Sequence, residues 1–362
     1  MRFVIAAGGT GGHLFPGLAV GEVLVTRGHE VMLLISEKAI DATATEGRTE
    51  FRIEKVAGEG LQSKSLGAFI RFFWKLRTGV KQCKQLYGGW NPAAVLGMGG
   101  FTCFAPIYAG RKRGVPTFVH ESNAIPGRAN KLNARYVTRV LLGFEECRAH
   151  FPKAQCEVTG TPVRSALTKP ADKIRARASL GLADDKLTLL VMGGSQGASG
   201  INRRVMEAAR AMRGRAFQII HLTGKSDEDT VRATYSAQGI QAYVAAFHHA
   251  MQDAYAAADF AVARSGAASL TELSHFGIPA ILIPYPFAAD DHQTANAAIF
   301  DRAGAGILLK ESDATSETLA QMIASFLDTP AQLEAMAERT GRLAHKDAAS
   351  RVADTLLQFC NS

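Results

Sequence analysis

This chain of 362 residues is short of several things, and each shortage removes a class of function. No apolar run reaches the roughly 18–20 residues that a bilayer-spanning helix needs. The apolar stretch after Arg2 ends within a few residues in a Gly-rich turn, which is not the build of a secretory leader. Cysteine is sparse: Cys83, Cys103, Cys147, Cys156 and Cys360 are odd in number, scattered and without a C-x-x-C pair. That pattern argues against a disulfide framework or a zinc site and predicts reduced thiols in the cytoplasm. No G-x-x-x-x-G-K-[ST] sequence is present, which disfavours P-loop chemistry. The dinucleotide fingerprint is incomplete. Gly9-x-Gly11 would need a third glycine where Leu14 stands, and no strand ending in an acid follows about 20 residues later. The last scarcity is local: between Glu59 and Glu121 there is no carboxylate at all.

What is present describes a soluble, core-forming protein, with 47% hydrophobic and 20% charged residues. It is too long for one ordinary domain and well suited to two. The formal net charge is +8, and it has a location: Lys64, Arg71, Lys75, Arg77, Lys81, Lys84, Arg111, Lys112 and Arg113 all fall in the acid-free stretch. On a helix from Phe69 to Lys84, the residues Phe69, Phe72, Phe73, Leu76 and Val80 share one stripe, the expected core face. Ile70 and Trp74 then project away from it, beside Arg77 and Lys81. Large apolar residues ringed by cations suit an anionic membrane surface; the alternative is that Ile70 and Trp74 pack beneath the next loop. Nucleic acid is disfavoured, since no recognised binding module accompanies the charge.

Two Gly-rich turns lie about half a chain apart. Ala6-Ala7-Gly8-Gly9-Thr10-Gly11-Gly12-His13 follows the apolar run Phe3-Val4-Ile5, and Gly193-Gly194-Ser195-Gln196-Gly197 follows the run 187–192. A strand feeding such a turn into a helix gathers unpaired backbone N–H groups at the positive end of the helix dipole, a fit for phosphate or diphosphate. One such turn alone can be purely structural. Its occurrence twice suggests two similar domains facing one another across a cleft. Strands are expected at 3–7, 30–35, 51–56, 93–97 and 115–119, and again at 187–192, 217–221, 242–244, 259–262 and 279–283, with helical stretches among them. The reading is an α/β protein with parallel sheets in two Rossmann-like domains. Their expected extents are 1–163 and 164–345, with a last helix near 346–362 returning to the first domain.

Seven motifs in order carry a resemblance. Gly8-Gly9-Thr10-Gly11-Gly12-His13 with Pro16-Gly17-Leu18-Ala19 is the first, followed by Leu96-Gly97-Met98-Gly99-Gly100 and His120-Glu121-x-Asn123. Gly160-x-Pro162-Val163-Arg164 and Gly193-Gly194-Ser195-Gln196-Gly197 come next. Arg264-Ser265-Gly266-Ala267 with Glu272, and Asp290-x-x-Gln293-x-x-Asn296-Ala297, complete the set. From about residue 3 to 304 the chain thus resembles the bacterial peptidoglycan N-acetylglucosaminyltransferases, the MurG family. The resemblance implies the GT-B architecture, two facing Rossmann-like domains with an interdomain cleft. It implies inverting transfer of N-acetylglucosamine (GlcNAc) from UDP-GlcNAc to the 4-hydroxyl of undecaprenyl-diphospho-N-acetylmuramoyl-pentapeptide, without a cofactor. It further implies a peripheral enzyme on the cytoplasmic face of the cell membrane, held by an anionic surface and working beside other cell-wall synthesis proteins.

Roles for individual residues follow on that footing. Ala267, Ala268, Ser269, Leu270 and Thr271 open a helix after the run 260–263, where small residues let a diphosphate reach backbone donors. Glu272, one or two turns in, can accept hydrogen bonds from two vicinal ribose hydroxyls, or be an ordinary acid near a helix N-terminus. By the resemblance, Ser195 and Arg164 sit near the diphosphate, and Arg164 would stabilise departing UDP without a metal; a surface salt bridge is its other reading. Gln293 and Asn296, three apart on one helix face, carry amides suited to sugar hydroxyls. The resemblance gives Gln293 and Asn123 to the GlcNAc ring, and the backbone at His248 to uracil. Thr10, Gly11 and Gly12 would help form the acceptor-diphosphate or donor site. His13 is the expected base, with an unperturbed pKa of about 6.5; the alternative is that it orients its loop and touches a diphosphate. His120 and Glu121 stand in reserve for the same task. Ser122, Ala124, Ile125 and Pro126 are expected to be neutral, and Asp290-Asp291 is not a D-x-D metal clamp, so no obligatory metal is expected. Two rival functions remain: a non-hydrolysing UDP-GlcNAc 2-epimerase of the same two-domain build, and a nucleotide-sugar-binding subunit with no chemistry of its own.

Overall fold

Apolar runs without polar alternation, such as Phe3-Val4-Ile5 and Leu189-Leu190-Val191, suit strands covered on both faces, and all six residues are fully buried. The computed structural model describes residues 1–8, 11–36, 45–57, 65–169, 171–194 and 197–360, apart from the side chains of Leu66, Ala68 and Phe69. The chain divides into one unit of Met1–Ser165 with His345–Ser362, and a second of Ala166–Ala344.

The first unit runs β1 (Arg2–Ala6), α1 (Gly11–Thr26), β2 (Glu30–Ile35), β3 (Arg52–Lys55), α2 (Leu66–Trp90), β4 (Ala94–Gly97), α3 (Phe104–Lys112), β5 (Thr117–Glu121), α4 (Arg128–Asn133), β6 (Arg139–Leu142) and β7 (Cys156–Val158). Its strands form one parallel sheet in the order β3-β2-β1-β4-β5-β6-β7, with Phe3 in register with Val31 on one side and Ala94 on the other. One face buries Leu14 and Leu18 of α1 with Val352 and Leu356 of the C-terminal helix Ala348–Cys360. The other face buries Cys83 and Tyr87 of α2 with Ile107 of α3. Helix α1 comes very close to the sheet at Gly17, where a Cβ would lie 2.7 Å from the Ala7 Cβ. Helix α2 does the same at Gly79, where a Cβ would lie within contact of the Ala57 carbonyl oxygen.

That close approach turns α2 about its axis and corrects one expectation. Gly79, Cys83, Tyr87 and Trp90 are buried, and Phe73 lies about 85° off the centre of their stripe by helical spacing. Phe73 is therefore 56% exposed, not part of the core, and joins Ile70 (64%) and Trp74 (67%). Its ring meets Phe72 edge to face at 5.6 Å, and Phe72 meets Phe101 at 5.8 Å.

The second unit runs α5 (Lys173–Ser179), β8 (Leu187–Met192), α6 (Ser199–Ala211), β9 (Phe217–Leu222), α7 (Glu228–Gln238), β10 (Ala242–Ala245), α8 (Met251–Ala257), β11 (Phe260–Ala263), α9 (Ala267–Phe276), β12 (Ala280–Leu282), α10 (His292–Arg302), β13 (Gly306–Leu308), α11 (Ser316–Asp328) and α12 (Pro330–Arg342). Its parallel sheet has the order β10-β9-β8-β11-β12-β13. Local chemistry fixes several ends: the Asp172 side chain accepts from Arg175 N at 2.8 Å, and Gly277 closes α9 with φ +64°. In both sheets the strand order reverses beside the first strand, at β1/β4 and at β8/β11. Ligands of doubly wound sheets bind beyond the carboxyl ends of the strands at this point.

Candidate active site

In the first unit the turns after β1 and β4 meet at the reversal. Gly11, Gly12 and His13 form the first turn of α1, while Thr10 lies outside the described residues. The His13 imidazole packs on the turn after β4. A Cβ on Gly99 would lie 2.7 Å from His13 Cε1 and 2.8 Å from Nδ1, and one on Gly100 would lie 3.7 Å from Cδ2. Gly99 and Gly100 have φ of +113° and +76°, so glycine is demanded here both by space and by conformation. The Cys103 thiol, fully buried beneath this turn, donates to the Gly99 and Ala6 carbonyls at 2.8 and 3.1 Å. The imidazole is thus held against a fixed backbone surface in the first turn of α1. Two residues further along α1, the Phe15 ring carries the Arg164 guanidinium 4.3 Å above its centre. Arg164 belongs to this first unit, a placement different from the expected start of the second domain at 164.

The two reserve bases have other work. His120 is fully buried, its Nε2 lies 2.9 Å from the Gly160 carbonyl and its Nδ1 3.3 Å from the Ser122 hydroxyl. Burial lowers its pKa, against the raising influence of the Gly160 bond and Glu121, so the ring is neutral, donating from Nε2 and accepting at Nδ1. Glu121 Oε1 accepts from Asn123 N and Nδ2 at 2.9 and 3.0 Å, and Oε2 from Gly127 N and Asn130 Nδ2 at 3.0 and 2.9 Å. With four donors on two buried oxygens, Glu121 orders the loop that presents Asn123, and the geometry does not offer it as a base. Ser122, expected to be neutral, is a partner of His120 and is itself buried.

In the second unit the turns after β8 and β11 flank the reversal. Ser195 lies outside the described residues. On either side of it the glycines are fixed: Gly194 and Gly197 have φ of +88° and +74°, and a Cβ on Gly197 would lie 2.5 Å from the Thr223 carbonyl oxygen. The same oxygen accepts from Asn202 Nδ2 at 2.9 Å. Asn202 continues to Asp227 at 2.7 Å and to His221 Nε2 at 3.0 Å, and His221 Nδ1 reaches the Tyr235 hydroxyl at 2.9 Å. This buried chain ties α6, the helix after the turn, to the loop after β9. Burial pushes the His221 pKa down to about 3, against the opposing field of Asp227.

Helix α9 starts at Ala267 with no side-chain cap and no acid in its first turn, and the N–H groups of its first residues have no partner within the helix. Ala267 and Leu270 are buried beneath them, and the Thr271 hydroxyl bonds back to the Ala267 carbonyl at 2.8 Å. Glu272 follows one turn in, its Oε2 accepting from the Tyr255 hydroxyl at 2.6 Å. Position 248 lies in the loop after β10, with the His248 Nδ1 2.9 Å from the Tyr243 hydroxyl and the pKa lowered by burial.

Gln293 and Asn296 prove to have different tasks. Asn296 is fully buried and its Nδ2 donates to the Ser265 carbonyl at 3.1 Å, so it fastens α10 to the turn after β11. Gln293, half-buried at the start of α10, accepts from Tyr285 N at 2.9 Å, which leaves the Nε2 end as its donor. Asp290 and Asp291 before it have φ of +52° and +51°, a strained pair that aims the helix start, with Asp291 accepting from the Thr294 hydroxyl at 2.6 Å. Sequence reasoning missed Arg264 as an anchor. Its guanidinium bonds the Ile283 and Pro284 carbonyls and Glu311, and burial, which raises the Glu311 pKa, is outweighed by Arg264 and Arg204, which lower it. It also missed Tyr255, whose signal was being the one large residue in the alanine run Ala254 to Ala258. A groove of about 550 Å³ along Asp172, Arg175 and Asp253 contains none of the expected site residues.

Comparison with known proteins agrees with this arrangement. Residues 3–142 match the glycosyltransferase family 28 N-terminal domain, and residues 188–352 match the family 28 C-terminal domain. Over 362 residues the chain is 38% identical to the UDP-N-acetylglucosamine--N-acetylmuramyl-(pentapeptide) pyrophosphoryl-undecaprenol N-acetylglucosamine transferase of Geobacter sulfurreducens, covering 99% of this chain and 98% of that one. The crystal structure of Acinetobacter baumannii MurG is similar with a TM-score of 0.78 at 28% identity, covering 99% of both chains. A UDP-GlcNAc 2-epimerase from Neisseria meningitidis, bound to UDP-GlcNAc, shares the fold alone, with a TM-score of 0.71 at 13% identity over 99% of this chain and all of that one. Two parallel α/β sheets with glycine turns at both reversals, and full-length identity at this level, place the chain in glycosyltransferase family 28, among the MurG N-acetylglucosaminyltransferases.

Proposed function

We propose that this chain moves GlcNAc from UDP-GlcNAc to the 4-hydroxyl of undecaprenyl-diphospho-N-acetylmuramoyl-pentapeptide, with inversion at the anomeric carbon. The observation that carries the reading is that the glycine turns, His13 and Glu272 all lie beyond the carboxyl ends of strands flanking the two sheet reversals. The second unit holds the donor: the loop at His248 meets the uracil, Glu272 the ribose, the N–H groups of 267–269 and the 193–197 turn the diphosphate, and Gln293 the sugar. In the first unit Gly11, Gly12 and Thr10 receive the acceptor diphosphate and Asn123 contacts the GlcNAc. His13 takes the proton of the 4-hydroxyl as the new C1–O bond forms, and the electrons of the breaking C1–O bond leave on UDP. Arg164 and the backbone donors stabilise that charge.

The acceptor is lipid-linked, and the first unit carries a surface that suits it. Ile70, Phe73 and Trp74 are exposed in one stripe with Arg77 and Lys81, also exposed. No described helix is long and apolar enough to cross a membrane. Such a stripe fits peripheral attachment to the anionic cytoplasmic leaflet, where the product would feed cell-wall assembly and so cell shape and division. The test is UDP release by purified protein with and without the lipid-linked acceptor, repeated with a chelator. The proposal expects release only with acceptor and no loss on chelation; acceptor-independent release would overturn it.

A further inference from the structure

We infer that Tyr255 is the positioning residue that gives the donor site its recognition of the ribose, by fixing the carboxylate of Glu272. The inference rests on Glu272 as the ribose-binding group and adds what makes that group selective. The Tyr255 hydroxyl donates to Glu272 Oε2 at 2.6 Å, the length of a charge-assisted O–H···O⁻ bond. The phenol ring is almost fully buried and is stacked on Phe276 with centroids 5.3 Å apart. Phe276 lies four residues after Glu272 on α9, so the ring is clamped by the same helix whose carboxylate it orients.

A glutamate at a half-buried site has three side-chain torsions to fix, and a carboxylate that wanders grips two vicinal hydroxyls poorly. Tyr255 removes that freedom from a distance. It sits on α8, directly after the loop at His248, and its hydroxyl also lies 3.8 Å from the Met192 sulfur, the last residue before Gly193. One buried phenol therefore touches the segments that lead into the ribose and diphosphate positions, and its own helix leads from the base position. Its substitution by phenylalanine keeps the ring, the stacking and the burial, and removes only the oxygen.

The test is the affinity ratio of UDP to 2′-deoxy-UDP, measured by calorimetry on the full chain as wild type, Tyr255→Phe, Glu272→Gln and the double variant. The wild type is expected to prefer UDP by about tenfold or more, the scale of one hydrogen bond to a charged group. Tyr255→Phe should lose most of that preference, and should change nothing further on the Glu272→Gln background. That non-additivity is what a merely structural role would not produce. A high ratio that survives Tyr255→Phe but is abolished by Glu272→Gln would overturn the inference and keep the ribose role of Glu272. A ratio near one in the wild type, or one untouched by Glu272→Gln, would remove that role and the inference with it.

Discussion

The His13 imidazole rests against the Gly99 backbone so closely that a Cβ at that position would lie 2.7 Å from its Cε1. Gly99→Ala must therefore push the ring away, and the φ of +113° adds strain of order 1–3 kcal/mol. We expect kcat to fall by about 10²-fold, the lower range for loss of a general base, with UDP affinity unchanged. Steady-state kinetics and calorimetry on the one variant check both halves.

Gly197→Ala is the counterpart in the second unit. The new methyl group would meet the Thr223 carbonyl at 2.5 Å, at a φ of +74°. The turn must shift to accommodate it, and UDP affinity should fall by about tenfold or more. Unchanged UDP affinity in calorimetry would separate this turn from the diphosphate.

Substituting Trp74 or Phe73 by Glu should lower partition onto anionic vesicles by about tenfold or more, since each loses apolar area and gains a repelled charge. Turnover of a water-soluble short-chain acceptor should stay close to wild type. Sedimentation with vesicles of defined anionic content checks the first, and vesicle binding equal to wild type would count against the surface.

His221 makes stability depend on acid. Its folded pKa is pushed down to about 3 by burial, so the fold keeps the ring neutral while the unfolded chain takes up a proton below about pH 6.5. The stability is present above that pH and is lost as pH falls toward 3, by up to about 1.4 kcal/mol per unit. His120 shifts in the same direction. The free energy of unfolding from urea titrations should therefore fall more between pH 7 and 5 for wild type than for His221→Gln, by about 2 kcal/mol.

Much of the architecture was legible because parallel sheets leave unbroken apolar runs and helices leave a 3.6-residue period. The glycine turns marked both sheet reversals. Strands β6, β7 and β13 escaped; β7 and β13 are sheet edges whose residues are mostly half-buried, so they lack the unbroken apolar runs of the inner strands. The site was legible as a set of residues and less so as a set of roles. Gln293 and Asn296 share a helix face by spacing, yet spacing does not say that the turn after β11 lies over Asn296. Glu121 reads as a free acid until the loop 123–130 folds back to supply its four donors. Phe73 sits at the edge of its stripe, and only the close approach at Gly79 decides which way it faces. In each case the deciding contact comes from elsewhere in the chain.

The central claim is sugar transfer to a lipid. Its most direct measurement incubates the purified protein with UDP-GlcNAc labelled in the sugar and with the undecaprenyl-linked muramoyl-pentapeptide, then extracts with butanol. The account predicts label in the organic phase in step with UDP release, and its near-complete loss in His13→Ala. Label that stays aqueous, whether as unchanged donor or as its 2-epimer, would contradict it.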